Sequence, residues 1–333
     1  MTSLLRRKVS HNRGLMIFRS PGRVSKVRRR AAKALWLMLA SVLIIVVGAC
    51  RGGEQHFSGK RSLAHVKALC ALGPRPVGSK ANTEAAELIA RTLQRYGWQV
   101  EFQSFAYGGL AVRNVIGTKG EGPLIILGAH FDSRPVADKD PTDRSLAVMG
   151  ANDGGSGTAV LLELARVLDE RATDQAQIKL AFFDAEDRGE LAGWPWCVGS
   201  AHMAESLAGT RPAYVIVVDM VGDDDQRFYY EWSSSLWLEE RLWRIAEQLG
   251  YKQHFIPEHR YSILDDHTSF LEWGINAALI IDFDYPYWHT RYDTLDKISA
   301  DSLQRVGDVL ETLLEGEPLA SSASDESGPT PNR

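Results

Sequence analysis

LIILGAHFDSRP, residues 124–135, decides how this chain folds. Four apolar residues, 124–127, run without a polar break and give way to His130 and Asp132. A short uninterrupted apolar run describes a strand buried on both faces, the kind found in parallel sheets covered by helices. The same pattern recurs three times. Residues 178–183 run into DAED, with Glu186 and Asp187; residues 214–218 run into Asp219; residues 277–281 run into DFDYPYWHT, with His289. Helical spacing fills the intervals at about 82–96, 157–168, 235–249, 267–273 and 302–314, and 98–105 alternates like a half-buried strand. Strands alternating with helices predict an α/β fold: a doubly wound, largely parallel sheet with helices on both faces, in a single domain.

Sites in open α/β sheets form just outside the carboxyl ends of the strands. Four strands therefore deliver His130, Glu186 with Asp187, Asp219 and His289 to one rim. Asp153, in GANDGGSG (150–157) at the start of a helix, is a fifth candidate. Taken singly, most have ordinary readings: a structural histidine, a helix cap at Asn152 or Asp153, a solvated turn at 186–187. Asp219 is harder to dismiss, because a carboxylate ending a buried strand needs a counter-charge. Five coincidences on one rim are not an economical account. Two imidazoles and three carboxylates without a thiolate suit zinc or a similar first-row ion. Asp132, two residues past His130, is placed to orient that imidazole. Glu186, beside a candidate ligand, is a natural general base.

The composition is ordinary for a globular protein: 333 residues, 44% hydrophobic, 24% charged, with 29 Gly and 13 Pro. Wholesale disorder, collagen-like repeats and a disulfide scaffold are excluded. The net charge of −4 hides an asymmetry. Residues 1–33 hold eleven Lys/Arg and no acid, so the other 300 carry 27 basic against 42 acidic residues, a net of −15. Such a body is a poor match for phosphate backbones, and nucleic acid is not expected as a partner.

The basic leader precedes an uncharged run, ALWLMLASVLIIVVGA (34–49), and then Cys50. Basic residues, a short apolar run and small residues describe an export signal, and VGAC resembles the lipobox of bacterial lipoproteins, with Cys50 as the lipidated residue. An uncut membrane-spanning helix is the alternative. Either device places the body at the outer face of the cytoplasmic membrane, in the cell envelope. Residues 1–49 thus read as export signal or anchor, 50–60 as a polar tether, 61–316 as the catalytic domain and 317–333 as a Ser/Pro-rich disordered tail. Cys70 and Cys197 form no metal motif, and whether they pair is left open.

GAHFDSRP, GANDGGSG, FFDAED, VVDMVGD, ILDDHTSF and YWHTRYDTLD together resemble the ordered signatures of metallopeptidase family 28, over about residues 61–315. That family joins zinc aminopeptidases with glutaminyl-peptide cyclotransferases. The resemblance implies zinc, Asp153 as the central ligand, Asp187 and His289 as its partners, and Glu186 as catalytic acid/base. His130 and Asp219 resemble the ligands of a second zinc, so one ion is implied for a cyclotransferase and two for an aminopeptidase. It also implies peptides with a free N-terminus as substrates. Asp265, first of the doublet Asp265-Asp266, and Trp288 before His289 are similar to the cyclotransferase pattern, where Asp265 and Asp219 assist the Glu. Asp187 departs from the usual Glu, and segment 188–198 does not match the cyclotransferase loop in length. Its Trp194 and Trp196 either line the substrate pocket or belong to the core. The leading expectation is conversion of N-terminal glutamine to pyroglutamate with release of ammonia; the alternatives are hydrolysis of the first peptide bond, or a non-catalytic binding role.

Overall fold

The computed structural model describes residues 56–168, 170–207 and 209–316. The leader, the apolar run, Cys50 and the tail lie outside them. Among the described residues no helix is long and apolar enough to cross a membrane. The first half of the body contains α1 (Gly59–Cys70), α2 (Lys80–Arg95), β1 (Gln99–Tyr107), β2 (Leu110–Lys119), β3 (Leu124–His130), α3 (Ser156–Val167) and β4 (Gln177–Phe183). The second half contains α4 (Val198–Ser206), β5 (Tyr214–Asp219), β6 (Phe228–Glu231), α5 (Leu236–Gln248), β7 (Phe255–Tyr261), α6 (Asp266–Leu271), β8 (Ala277–Ile281) and α7 (Ala300–Glu315).

Six strands form one mixed sheet in the order β1-β2-β4-β3-β5-β8. The four apolar strands β4, β3, β5 and β8 are mutually parallel. Strands β1 and β2 add an antiparallel edge. Alternation along the strands splits the core in two. Leu127, Ala129, Tyr214, Ile216, Val218, Ala278 and Ile280 face one side, under α1, α2, α3, α5 and α7. Ile126, Val215, Val217, Ala277, Leu279 and Ile281 face the other, under α4 and α6. Burial on both faces explains why β3, β5 and β8 carry no polar alternation, while β4 keeps half-buried Gln177 and Lys179 only at its start. Because they are parallel, their carboxyl ends share one rim, and His130 and Asp219 are themselves terminal strand residues.

Local chemistry fixes the boundaries. Ser79 caps α2 by accepting from the Asn82 backbone N–H. The turn between β1 and β2 is Gly108-Gly109, both left-handed, and it joins the directly paired Tyr107 and Leu110. Two positive-φ residues between paired strands make the tight hairpin turn that glycine accommodates without strain.

Several elements depart from expectation. β2 was not anticipated, because Arg113 and Asn114 interrupt its apolar pattern. Neither were α4 and the small parallel pair β6–β7. The tether also ends earlier than residue 60. Phe57 is buried against Gly307 of α7, its N–H donates to Glu311, and Gly59 opens α1. The polar look of 50–60 hid one buried aromatic and the start of a helix.

Candidate metal centre

The rim gathers His130, Asp153, Asp187, Asp219 and His289 into two groups that share Asp153, all buried. Its two carboxylate oxygens face different partners. Oδ1 lies 3.1 Å from His130 Nε2, and Oδ2 lies 3.6 Å from His289 Nε2. Asp219 completes the first group, 3.1 Å from His130 Nε2, and Asp187 completes the second, 3.0 Å from His289 Nε2. In each group the candidate ligand atoms lie within 4.8 Å of one another. Asp153 Oδ2 and both oxygens of Asp187 are buried and make no hydrogen bond. Buried carboxylate oxygens are ordinarily satisfied, so unfilled lone pairs converging beside the His289 imidazole fit a cation. A set of nitrogen and oxygen donors suits zinc or a similar ion.

Three non-glycine residues at these positions adopt left-handed backbone: Ala185 before Glu186, Met220 after Asp219, and His289 itself. Such conformations cost energy and persist where surrounding structure enforces them, commonly at functional sites. Asp132 supplies part of that enforcement. Its carboxylate accepts from the backbone N–H groups of Glu186 and Asp187, both at 3.1 Å, and lies 3.5 Å from His130 Nδ1. One side chain thus orients an imidazole and sets the turn that carries Glu186.

Other supports were not read from the sequence. Asp138 lies 3.3 Å from His289 Nδ1 and is held by both arms of the Arg134 guanidinium, at 3.1 and 2.7 Å. Arg134 also donates to the carbonyls of Asp187 and Gly189 and lies over the Trp196 ring. Asp293 accepts from the N–H groups of Asn152 and Asp153 and from the Tyr285 hydroxyl, which fixes the ligand loop. Arg75, fully buried, donates to the carbonyls of Phe131, Met149 and Gly150 and ties two rim loops together. Arg134 and Asp293 stand inside the quoted motifs, which was the available signal; nothing distinguished Asp138 or Arg75.

A cavity of about 200 Å³ opens on the centre. Asp153, Glu186, Asp219 and Asp265 line it as polar groups, with Trp196, Phe283 and Trp288 as aromatic walls. Trp196 and Trp288 both lie against the His289 ring, with centroids 6.0 and 4.1 Å away. Trp194 does not line the cavity. It is buried in a separate cluster with Val77, Val112, Ala185 and Val198 and meets Tyr107 edge-on, so the pocket reading is corrected for that residue. Burial holds the Glu186 carboxyl well above its ordinary range, with the Asp187 charge adding to the shift. Burial, and then the neighbouring Asp219, push Asp265 up to about 7. Asp265 also accepts from the Asp266 N–H, capping α6. Cys70 and Cys197 are free thiols, and Cys197 Sγ–H points to Glu186 Oε1 at 3.8 Å.

Residues 114–314 match the sequence model of Peptidase family M28. The chain belongs to that family. Among curated relatives is an aminopeptidase of Bacillus subtilis, 30% identical over 231 residues, which span 62% of this chain and 44% of that protein. The chain therefore spans less than half the length of that relative. A solved glutaminyl cyclase of Bacteroides thetaiotaomicron superposes with a TM-score of 0.74 at 30% identity, covering 80% of this chain and all of the other. A zinc-dependent exopeptidase of Parabacteroides distasonis gives the same TM-score, identity and coverage. The mixed sheet with helices on both faces is thus the fold of both enzyme kinds, and the chain is an enzyme of family M28.

Proposed function

We propose that the chain is a zinc-dependent enzyme of the glutaminyl-peptide cyclotransferase kind, converting an N-terminal glutamine to pyroglutamate with release of ammonia. The observation that carries this reading is the cavity. It is sized for one side chain, walled by three aromatics, and places Glu186, Asp219 and Asp265 together beside the Asp153–Asp187–His289 group. Zinc held by Asp153, Asp187 and His289 supplies a Lewis acid for an amide carbonyl.

The chain's own residues do the rest. Cyclisation joins the α-amine nitrogen to the side-chain amide carbon and breaks that carbon's bond to the amide nitrogen. One proton leaves the attacking amine and ends on the departing ammonia. Glu186 takes and returns it, a task suited to a carboxyl whose burial raises its proton affinity. Asp219 and Asp265 accept hydrogen bonds from the amine and aim it, so that attack is intramolecular with enforced proximity. Trp196, Phe283 and Trp288 keep bulk water from the reacting carbon. Similarity to the Bacteroides cyclase supports the reading.

One observation favours a second reading, hydrolysis of the first peptide bond. His130 and Asp219 complete another possible ligand group around the same Asp153, as a two-ion aminopeptidase would need. Incubation with Gln-peptides and Leu-peptides, followed by mass analysis, separates the two. Ammonia loss with the peptide bond intact, at about one zinc per chain, supports cyclisation; release of free amino acid, at about two, overturns it.

We further propose that the body is exported and held at the outer face of the cytoplasmic membrane through the leader, by lipidation of Cys50 or an uncut helix over 34–49. Fractionation finding the full-length chain free in the cytoplasm, with Cys50 unmodified, rejects this.

A further inference from the structure

The cavity at the metal centre, at about 200 Å³, is smaller than the roughly 300–1,000 Å³ typical of drug-sized ligand sites. It accommodates the first residue of a peptide, and the remainder of the chain has to leave across its edge. Two lining residues, Trp196 and Leu264, also line a second and larger cavity of about 720 Å³. A third cavity, rimmed by Asp223 to Asp225 and Asp282, shares no lining residue with the metal centre. Of these two cavities, continuity with the metal centre selects the larger as the exit.

We propose that this larger groove binds the segment of a peptide substrate downstream of its N-terminal residue, and that it favours segments carrying aromatic and cationic side chains. The inference rests on the reading of the substrate as a peptide with a free N-terminus, whichever bond is then made or broken. The groove is built from the end of β1, the segment 195–205 and the segment 264–273. Leu264 is 62% exposed and Trp273 52%, while Phe105 and His202 stack with ring centroids 3.8 Å apart. A cluster of exposed large apolar groups beside a catalytic cavity marks an interaction surface. Glu205 and Glu272 add two exposed carboxylates, and no Lys or Arg lines the groove. Aromatic faces with a one-sign acidic edge suit an aromatic residue next to a basic one. Trp196 and Leu264 wall both cavities, so a segment lying in the groove bears on the walls of the reactive one.

The test compares a short reporter, one N-terminal residue coupled to a small chromogenic amine, with two hexapeptides sharing that residue. One hexapeptide carries Phe and Lys at positions three to five, the other two Glu. The Phe/Lys peptide is expected to exceed the Glu peptide in kcat/KM by about tenfold, mainly through KM. Trp273→Ala, at an exposed position outside the catalytic machinery, should remove about tenfold of that advantage, a loss typical of an aromatic anchor, and leave the short reporter unchanged. Glu205→Lys with Glu272→Lys should reverse the charge preference. Fluorescence anisotropy of the labelled Phe/Lys hexapeptide reads binding without turnover, so the groove is tested even if neither Gln nor Leu reporters react and the proposed reaction fails. Equal affinity for both hexapeptides, or an unchanged affinity in Trp273→Ala, overturns the groove. So does a Trp273→Ala effect confined to self-association measured by sedimentation.

Discussion

Two acidic regions of this molecule look alike in sequence and differ in what their carboxylates touch. In the cavity rimmed by Asp223 to Asp225, Asp282, Asp284 and Asp296, the acids are answered locally. Asp225 pairs with Arg227 at 2.8 Å, Asp296 with Lys297 at 2.6 Å, and Asp282 accepts from the N–H groups of Arg227 and Asp284. At the metal centre, Asp187 and one oxygen of Asp153 are buried without a hydrogen bond, and the His289 imidazole faces them. A cluster of acids is therefore not a site because it is acidic; unsatisfied, buried and converging donor atoms distinguish one.

The comparison breaks most visibly at His289. His289→Ala should abolish metal retention and lower turnover by more than about 10⁴-fold, since it removes a donor from the group that Asp153 and Asp187 cannot complete alone. Full metal content in that variant would reject the assignment. Next comes Glu186→Gln, which keeps shape and removes the basic site. Turnover should fall by about 10²–10⁴-fold with metal content unchanged, measured by single-turnover kinetics and elemental analysis. A rate within about a factor of two of the parent would remove Glu186 from the proton path.

A smaller effect is expected at Asp138, which holds His289 from behind. Asp138→Asn should weaken metal affinity by about 10–100-fold, read by competition with a chelator. Unchanged affinity would make the Arg134–Asp138 pair purely structural.

Glu239 sharpens the contrast from the other side. It is buried, with one oxygen accepting from the Glu231 N–H and the other unbonded, yet it belongs to neither candidate metal group. Burial pushes its carboxyl from 4.5 up to about 8. A carboxyl with a higher pKa folded than unfolded contributes stability below the unfolded pKa and loses it as pH rises through the folded one. The parent should therefore lose stability between about pH 4.5 and pH 8. Glu239→Gln should flatten that decline in denaturant midpoints, and equal slopes would show that the carboxyl is not protonated in the fold. Last, Asp225→Asn in the locally answered cluster should shift stability by less than about 0.5 kcal/mol and leave metal content intact.

The rim was legible because parallel buried strands announce themselves as apolar runs, and the residue after each run lands at a predictable end of the sheet. His130, Asp219 and Glu186 follow from that alone and Asp153 from its place among glycines at a helix start, while Asp265 needed the family resemblance. What stayed hidden depends on how loops return. Asp138 is one aspartate among several in the 133–150 stretch, and only the folded loop brings it behind His289. Arg75 precedes α2 with no pattern to mark it, although three carbonyls converge on its guanidinium. β2 is hidden in the sequence because this strand, paired between β1 and β4, mixes Arg113 and a buried Asn114 among its apolar residues. Trp194 and Trp196 are two residues apart and end in different environments, one in a satellite core and one on the cavity wall, which spacing does not resolve.

Asp153 faces His130 with one oxygen and His289 with the other, and that sharing makes the donors unequal in what their removal leaves behind. Substituting His130 leaves Asp153, Asp187 and His289 intact as a donor set, whereas substituting Asp153 dismantles both groups in one step. The shared carboxylate is thus the single donor whose loss leaves neither group with three members.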